Sequence, residues 1–172
     1  MEDDMEDTPT RPTETRPTKE AAADFLSQRR IAVTGVSRSG GDHSGNTIYL
    51  RFRDRGYEVF AVNPNADTVE GDPCFADLAS IPGGVDAVVV ATGPEQAEST
   101  VRECVELGIG RVWMHHGPGA SSVSPGAVAL GREHGIEVID GGCPLMFGPT
   151  ADGVHKVMRV LLTPFGRVPR RV

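Results

Sequence analysis

The sequence predicts an α/β fold: a mainly parallel, doubly wound sheet of five strands with helices on both faces, three layers in all. Three observations predict it. Short β-branched runs alternate with helical stretches along most of the 172 residues. One of those runs, Val85 to Val90, is apolar almost throughout, as a strand covered on both faces has to be. The 21 glycines and 13 prolines supply the many turns that such alternation needs. Parallel neighbours joined through helices take right-handed crossovers, which gives a Rossmann-like arrangement.

The elements follow in order. Residues 1–18 mix acids, Thr, Pro and Arg without hydrophobic periodicity and read as a disordered tail. Lys19 to Arg30 suits a short helix with Ala22, Phe25 and Leu26 on one face. Ile31 to Thr34 is the first strand, followed by a Gly/Ser-rich loop and a helix from about Asn46 to Arg55, closed by Gly56. Tyr57 to Val62 is the second strand, stopped by Asn63 and Pro64, and a loop carries Gly71 to Phe75. After the third strand, Pro94 opens a helix at a position that tolerates a missing N–H, and Gly108 caps it. Arg111 to Met114 is the fourth strand, leading to His115, His116 and Gly117. A helix from about Pro125 to His134 and a fifth strand, Ile136 to Ile139, complete a domain expected over residues 19–150. Residues 151–172 hold one weak helix, Val154 to Leu162, and a basic end.

Composition narrows the function classes. A formal net charge of -7 argues against general nucleic-acid binding and requires any polyanionic ligand to be held locally. The three cysteines, Cys74, Cys104 and Cys143, form no CxxC pair, so neither a disulfide framework nor a structural zinc site is expected. The start is acidic where a signal peptide is basic and then apolar, and no apolar run reaches the roughly 20 residues that span a bilayer. A cytoplasmic protein with no membrane contact is the expectation.

In sheets of this kind ligands bind beyond the carboxyl ends of the strands, where the strand order switches. The loop after the first strand sets Gly35, Ser37 and Gly40 at the three positions of a G-x-G-x-x-G fingerprint, with serine in the middle. A Cβ there crowds a dinucleotide pyrophosphate. Free N–H groups at the following helix start, near Ser44 to Asn46, with the Ser37 and Ser44 hydroxyls and the Arg38 fork, suit phosphates. A plain tight turn is the alternative use of these glycines. The second strand ends without the acid that grips the ribose of NAD, and with no Arg for NADP. Asn63, Pro64 and Asn65 stand there instead, so a nicotinamide dinucleotide is disfavoured.

Taken in order, Ile31 to Ser37, Gly56 to Pro64, Val69 to Gly71, Val85 to Val90 with Pro94 and Glu95, Val112 to Met114 with Gly117, and Gly135 to Pro144 resemble the CoA-binding domain family in its small stand-alone form. The same domain opens the alpha subunit of succinyl-CoA synthetase. The likeness spans roughly residues 24 to 148. It implies coenzyme A bound across the first two strand ends. Gly35, Val36, Ser37 and Arg38 would then line the phosphates, with Ser44, Gly45 and Asn46 at the helix start. Asn63, Pro64 and Asn65 would border the ADP portion, and Thr92, Gly93 and Pro94 the third strand end. Two cations common in the family are missing, since Asn65 and Gly93 occupy their positions.

Candidate chemistry is sparse. Cys143 lies at the ligand edge of the fifth strand, where a thiol either meets the thiol of CoA or packs as a small hydrophobe. No lysine stands near it in sequence to lower its pKa, which favours packing. His115 and His116 point to opposite sides of an extended chain, so they do not grip one metal together. His43 is a further candidate phosphate contact. Trp113 belongs to the core, and a Ser37, His115 and Asp140 triad lacks the nucleophile elbow. The expectation is a CoA- or acyl-CoA-binding module without catalysis of its own, acting as a homodimer or a subunit of a larger assembly. The alternatives are an NAD(P)-type oxidoreductase and a thioester-handling enzyme using Cys143. About 24 residues after Gly148 are too few for a substrate domain.

Overall fold

The computed structural model describes residues 15–40 and 43–172. The disordered tail expected over residues 1–18 lies, as far as Glu14, outside the described residues. α1 (Thr18–Ser27) is a ten-residue, alanine-rich helix that buries Ala21, Ala22, Phe25 and Leu26. β1 (Arg30–Thr34) and β2 (Glu58–Val62) flank α2 (Ser44–Asp54). A short hairpin follows, β3 (Thr68–Val69) and β4 (Asp72–Phe75), and then β5 (Ala87–Val90). Beyond it come α3 (Pro94–Glu106), β6 (Arg111–Met114), the small ribbon β7 (His116–Gly117) and β8 (Ala120–Ser121), α4 (Pro125–Glu133) and β9 (Glu137–Asp140). The chain closes with short 3₁₀ turns and α5 (Gly153–Leu162).

The main sheet has seven strands in the order β3-β4-β2-β1-β5-β6-β9. The five expected strands are all present, parallel, and neighbours as a doubly wound sheet requires. Two strands come in addition. The segment around Gly71 to Phe75, expected as a loop, forms an antiparallel hairpin whose second strand adds parallel to β2. Its turn is only two residues long, Glu70 and Gly71, both at positive φ (52° and 83°). That is the geometry two-residue hairpins favour.

Side chains alternate across each strand, and this produces the three layers. Ile31 and Val33 face the cluster under α1 and α2, whereas Ala32 faces the cluster under α3 and α4. Likewise Ala87 and Val89 point one way and Val88 and Val90 the other, all four fully buried. Trp113 is completely buried, edge-on to Phe25 and tilted against Phe147, and its indole N–H donates to the Gly141 carbonyl at 3.0 Å. Caps set the helix starts. Ser124 Oγ accepts from the Ala127 amide ahead of α4, and Asp152 accepts from the His155 amide ahead of α5.

α5 is unlike the other helices because none of its residues is buried. Met158 and Leu162 lean on the core, while Val154, Val157, Val160 and Leu161, with Phe165 beyond, stand exposed. No helix among the described residues is long and apolar enough to cross a membrane.

Candidate functional site

β1 pairs with β2 on one side and with β5 on the other, so the connections leave its end in opposite directions. A cleft of about 510 Å³ opens at this switch point. Its floor is the ends of three strands: Thr34, Gly35, Val36 and Ser37 after β1, Val62, Asn63, Pro64 and Asn65 after β2, and Thr92 after β5. One wall is a face of α3, with Gln96, Ser99, Thr100 and Glu103 at helical spacing, and Ala76 and Asp77 close the far end.

Glycine is required where the loop leaves β1. Gly35 sits at φ 74°, and a Cβ on it would lie 2.4 Å from the Ala91 carbonyl carbon. Gly45 in the first turn of α2 approaches the Gly35–Val36 peptide, and a Cβ there would lie 2.5 Å from the Gly35 oxygen. Helix and loop therefore touch backbone to backbone. Asn46, fully buried, ties them together: its Oδ1 accepts from the Ser37 amide at 2.6 Å, and its Nδ2 donates to the Ser37 carbonyl at 2.8 Å and to Glu70 at 2.7 Å. Asn63 makes a second tie, donating to the Val36 carbonyl at 2.7 Å and accepting from the Asn65 amide at 2.8 Å. Arg38 reaches across to the Asn65 carbonyl at 3.2 Å, at the rim.

The residues expected from the sequence thus fall into three groups. Gly35, Val36, Ser37, Asn63, Pro64, Asn65 and Thr92 line the cleft, with Arg38 beside it. Gly45 and Asn46 shape the loop from behind, and Gly93 and Pro94 begin α3. Ser44 and Cys143 line a different, smaller cleft. Two details differ from the expectation. The Ser37 amide is already committed to Asn46, so it is not available to a phosphate, and the first turn of α2 contributes Ser44 to the second cleft. Cys143 is buried, and burial pushes its thiol up to about 12, which makes a neutral packing thiol at neutral pH.

The polar face of α3 and the Ala76–Asp77 end were missed. The signal was present in the 3-1-3 spacing of Gln96, Ser99, Thr100 and Glu103, a polar stripe beside the buried Ala97, Val101 and Cys104. Two features of the cleft bear on what it can hold. Thr34 Oγ1 and Thr92 Oγ1, both on lining residues, are shut off from solvent with no hydrogen-bond partner among the described residues. The carboxylates of Asp77 and Glu103 lie at one end, so an anionic group is placed best at the Gly35 to Arg38 end. Among the described residues no group of three His, Cys, Asp or Glu side chains is gathered as for a metal ion.

Comparison with known proteins adds an independent line. A sequence profile of the family described as "CoA binding domain" matches residues 29–149. An ADP-forming acetate–CoA ligase (form II) from Archaeoglobus fulgidus is 25% identical over 154 residues, covering 85% of this chain and 22% of that enzyme. The chain therefore spans about a fifth of the length of that relative. A conserved hypothetical protein from Pyrococcus furiosus has a solved structure that superposes with a TM-score of 0.57 at 29% identity, covering 64% of this chain and 90% of that one. A hypothetical protein from Pyrococcus horikoshii shares the fold with a TM-score of 0.65 at 22% identity, over 80% of this chain and 89% of its own.

Proposed function

This chain belongs to the CoA-binding domain family, and from that premise we propose that it binds coenzyme A or an acyl-CoA in the cleft at the ends of β1, β2 and β5. The observation that carries the reading is one of position: the matched segment, residues 29–149, contains every residue that lines the large cleft. In this reading the diphosphate rests at the Gly35 to Arg38 end, on backbone amides other than that of Ser37, with the Arg38 guanidinium turning from the Asn65 carbonyl to a phosphate oxygen. Asn63, Pro64 and Asn65 border the ADP portion, and Thr92, Gly93 and Pro94 border the end of β5.

The chain acts in this proposal as a carrier or sensor without catalysis of its own. A thioester-handling enzyme would need a reactive Cys143 at the cleft, and that thiol is neutral, buried and in the other cleft. A nicotinamide enzyme would need a carboxylate on the ribose, and Asn63 at the end of β2 is occupied by the Val36 carbonyl. A homodimer or a place in a larger assembly belongs to the same proposal and would cover the apolar side of α5.

Isothermal titration of the purified chain with CoA, dephospho-CoA, NAD and ATP tests it. CoA is expected to bind, with dephospho-CoA close behind because Asn65 offers no charge to the ribose phosphate. Arg38→Ala is expected to weaken CoA, and Cys143→Ala to leave it nearly unchanged. Binding of NAD or ATP without CoA would refute the assignment.

A further inference from the structure

A second cleft, of about 150 Å³, shares no lining residue with the first. It lies between the first turns of α2, the chain leaving β6, the chain leaving β9, and α5. Its most unusual member is His115. The residue is 5% exposed, it lines the cleft, and neither ring nitrogen has a hydrogen-bond partner among the described residues. The ring is admitted by Gly117, where a Cβ would stand 2.9 Å from Cε1 and 3.1 Å from Nε2. Neither nitrogen is among the unpartnered side-chain atoms sealed from solvent, so the ring offers its polar edge to the cleft, where a ligand can reach it.

Three further features define the ligand. The first turn of α2, an 11-residue helix, presents Ser44 and Thr47 to the same cleft, and neither hydroxyl has a hydrogen bond among the described residues. The His43 side chain makes no capping bond there, and a helix N-terminus of this kind favours an anion. Leu145, Met146 and Met158, from the chain after β9 and from α5, line the same cleft together with Ile48 of α2 and make its apolar part. The charged and titratable groups around His115 are the neighbouring His116, the Cys143 thiol, and His155 with Asp152 and Arg51 behind it. Asp152 is held by Arg51 at 3.0 Å and by His155 at 2.8 Å, so its charge is compensated.

We propose that this cleft binds a small carboxylate with a short apolar tail, its oxygens between His115 and the first turn of α2 and its alkyl end against Met146 and Met158. Oxyanion donors facing a hydrophobic wall fit a short-chain carboxylate better than inorganic phosphate, which has no apolar end to bury. His115 is kept neutral by burial, then by His116 and His155, with its pKa lowered to about 4. An anion in the cleft would reverse part of that shift, because a nearby negative charge favours the imidazolium. The proposal does not depend on coenzyme A in the first cleft, and its failure would leave that reading untouched.

The test is a titration of the full chain, labelled with ¹⁵N-histidine, followed by NMR. Sodium butyrate, inorganic phosphate and sodium chloride are added to separate samples in the absence of CoA. Butyrate is expected to shift the His115 ring signals saturably and raise the His115 pKa by about one unit or more, leaving the exposed His134 unchanged. Met158→Trp, which fills the cleft from its half-buried wall, is expected to remove the response while the spectrum stays folded. A wild-type protein with no saturable response to butyrate overturns the proposal by itself. So does an equal response to chloride, a response to phosphate alone, or a full response in folded M158W.

Discussion

Asn46 is fully buried, and its amide serves three partners at once: the Ser37 amide, the Ser37 carbonyl and the Glu70 carboxylate. One of those partners is itself strained. Glu70 is the sole non-glycine residue at positive φ among the described residues, a conformation that disfavours a side chain with a Cβ. The bond to Asn46 ties it down, so one side chain links the loop after β1 to the β3–β4 turn. Asn46→Ala would leave the half-buried Ser37 amide and carbonyl and the Glu70 carboxylate without this partner and is expected to cost about 1–3 kcal/mol, read as a lower urea midpoint with unchanged slope. Asn46→Asp is expected to be worse, because it sets a second carboxylate against Glu70. In the sequence Asn46 reads as a ligand contact, since it stands at the start of a helix at the switch point. Its bond to Glu70 joins it to a residue 24 positions away, which one-dimensional reading does not supply.

At the scale of elements, legibility followed hydrophobic pattern. β1, β5 and β6 are short apolar runs with turn residues on both sides, and their ends fall within two residues of the expectation. α2 begins at Ser44, two residues earlier than read, because the Gly/Ser loop masks the start. The β3–β4 hairpin escaped notice for identifiable reasons. Its turn is Glu-Gly rather than the usual Asn-Gly, its second strand carries Pro73, and that strand is short and half-exposed, so it lacks an apolar run. The polar stripe of α3 was legible and overlooked. Gln96, Ser99, Thr100 and Glu103 make α3 more than a cover for the sheet, and Glu103 is the member that opposes an anionic ligand. Its Oε1 accepts from the Ala79 amide at 3.0 Å, an acceptor that glutamine retains. Glu103→Gln is therefore expected to keep the fold and tighten CoA binding severalfold at low salt. The gain should shrink as salt screens the lost repulsion. An affinity unchanged at every ionic strength would place the phosphates elsewhere.

Over the whole molecule the described ends close on each other. Arg16 and Val172 exchange backbone hydrogen bonds at 3.1 and 3.0 Å, and Pro17 pairs with Arg171. Arg16 also reaches Glu137 on the outer strand β9 and Asp24 on α1, while Arg111 on β6 binds Asp24 at 2.6 Å. This ion cluster joins α1 to the β6–β9 edge, and it responds to acid in a definite direction. The hydrogen bond from Arg111 lowers the Asp24 pKa, Arg53 lowers that of Asp72, and the His155 amide and ring bring Asp152 to about 2. Each carboxylate favours folding above its unfolded value near 3.9, and that contribution is lost as pH falls through the folded values. His115 acts earlier. Its folded pKa of about 4 lies below the unfolded value near 6.5, so between these two values the unfolded chain binds the extra proton. The stability it contributes is complete above about pH 6.5 and is lost progressively as the pH falls toward 4. Urea midpoints measured against pH should consequently fall in two stages, one above pH 4 and one below it. His115→Phe should shrink the upper stage to the smaller share that His116, whose pKa burial also lowers, contributes, and leave the lower one in place. A single transition confined below about pH 4 in the wild type would mean that the buried imidazole is not kept neutral by the fold.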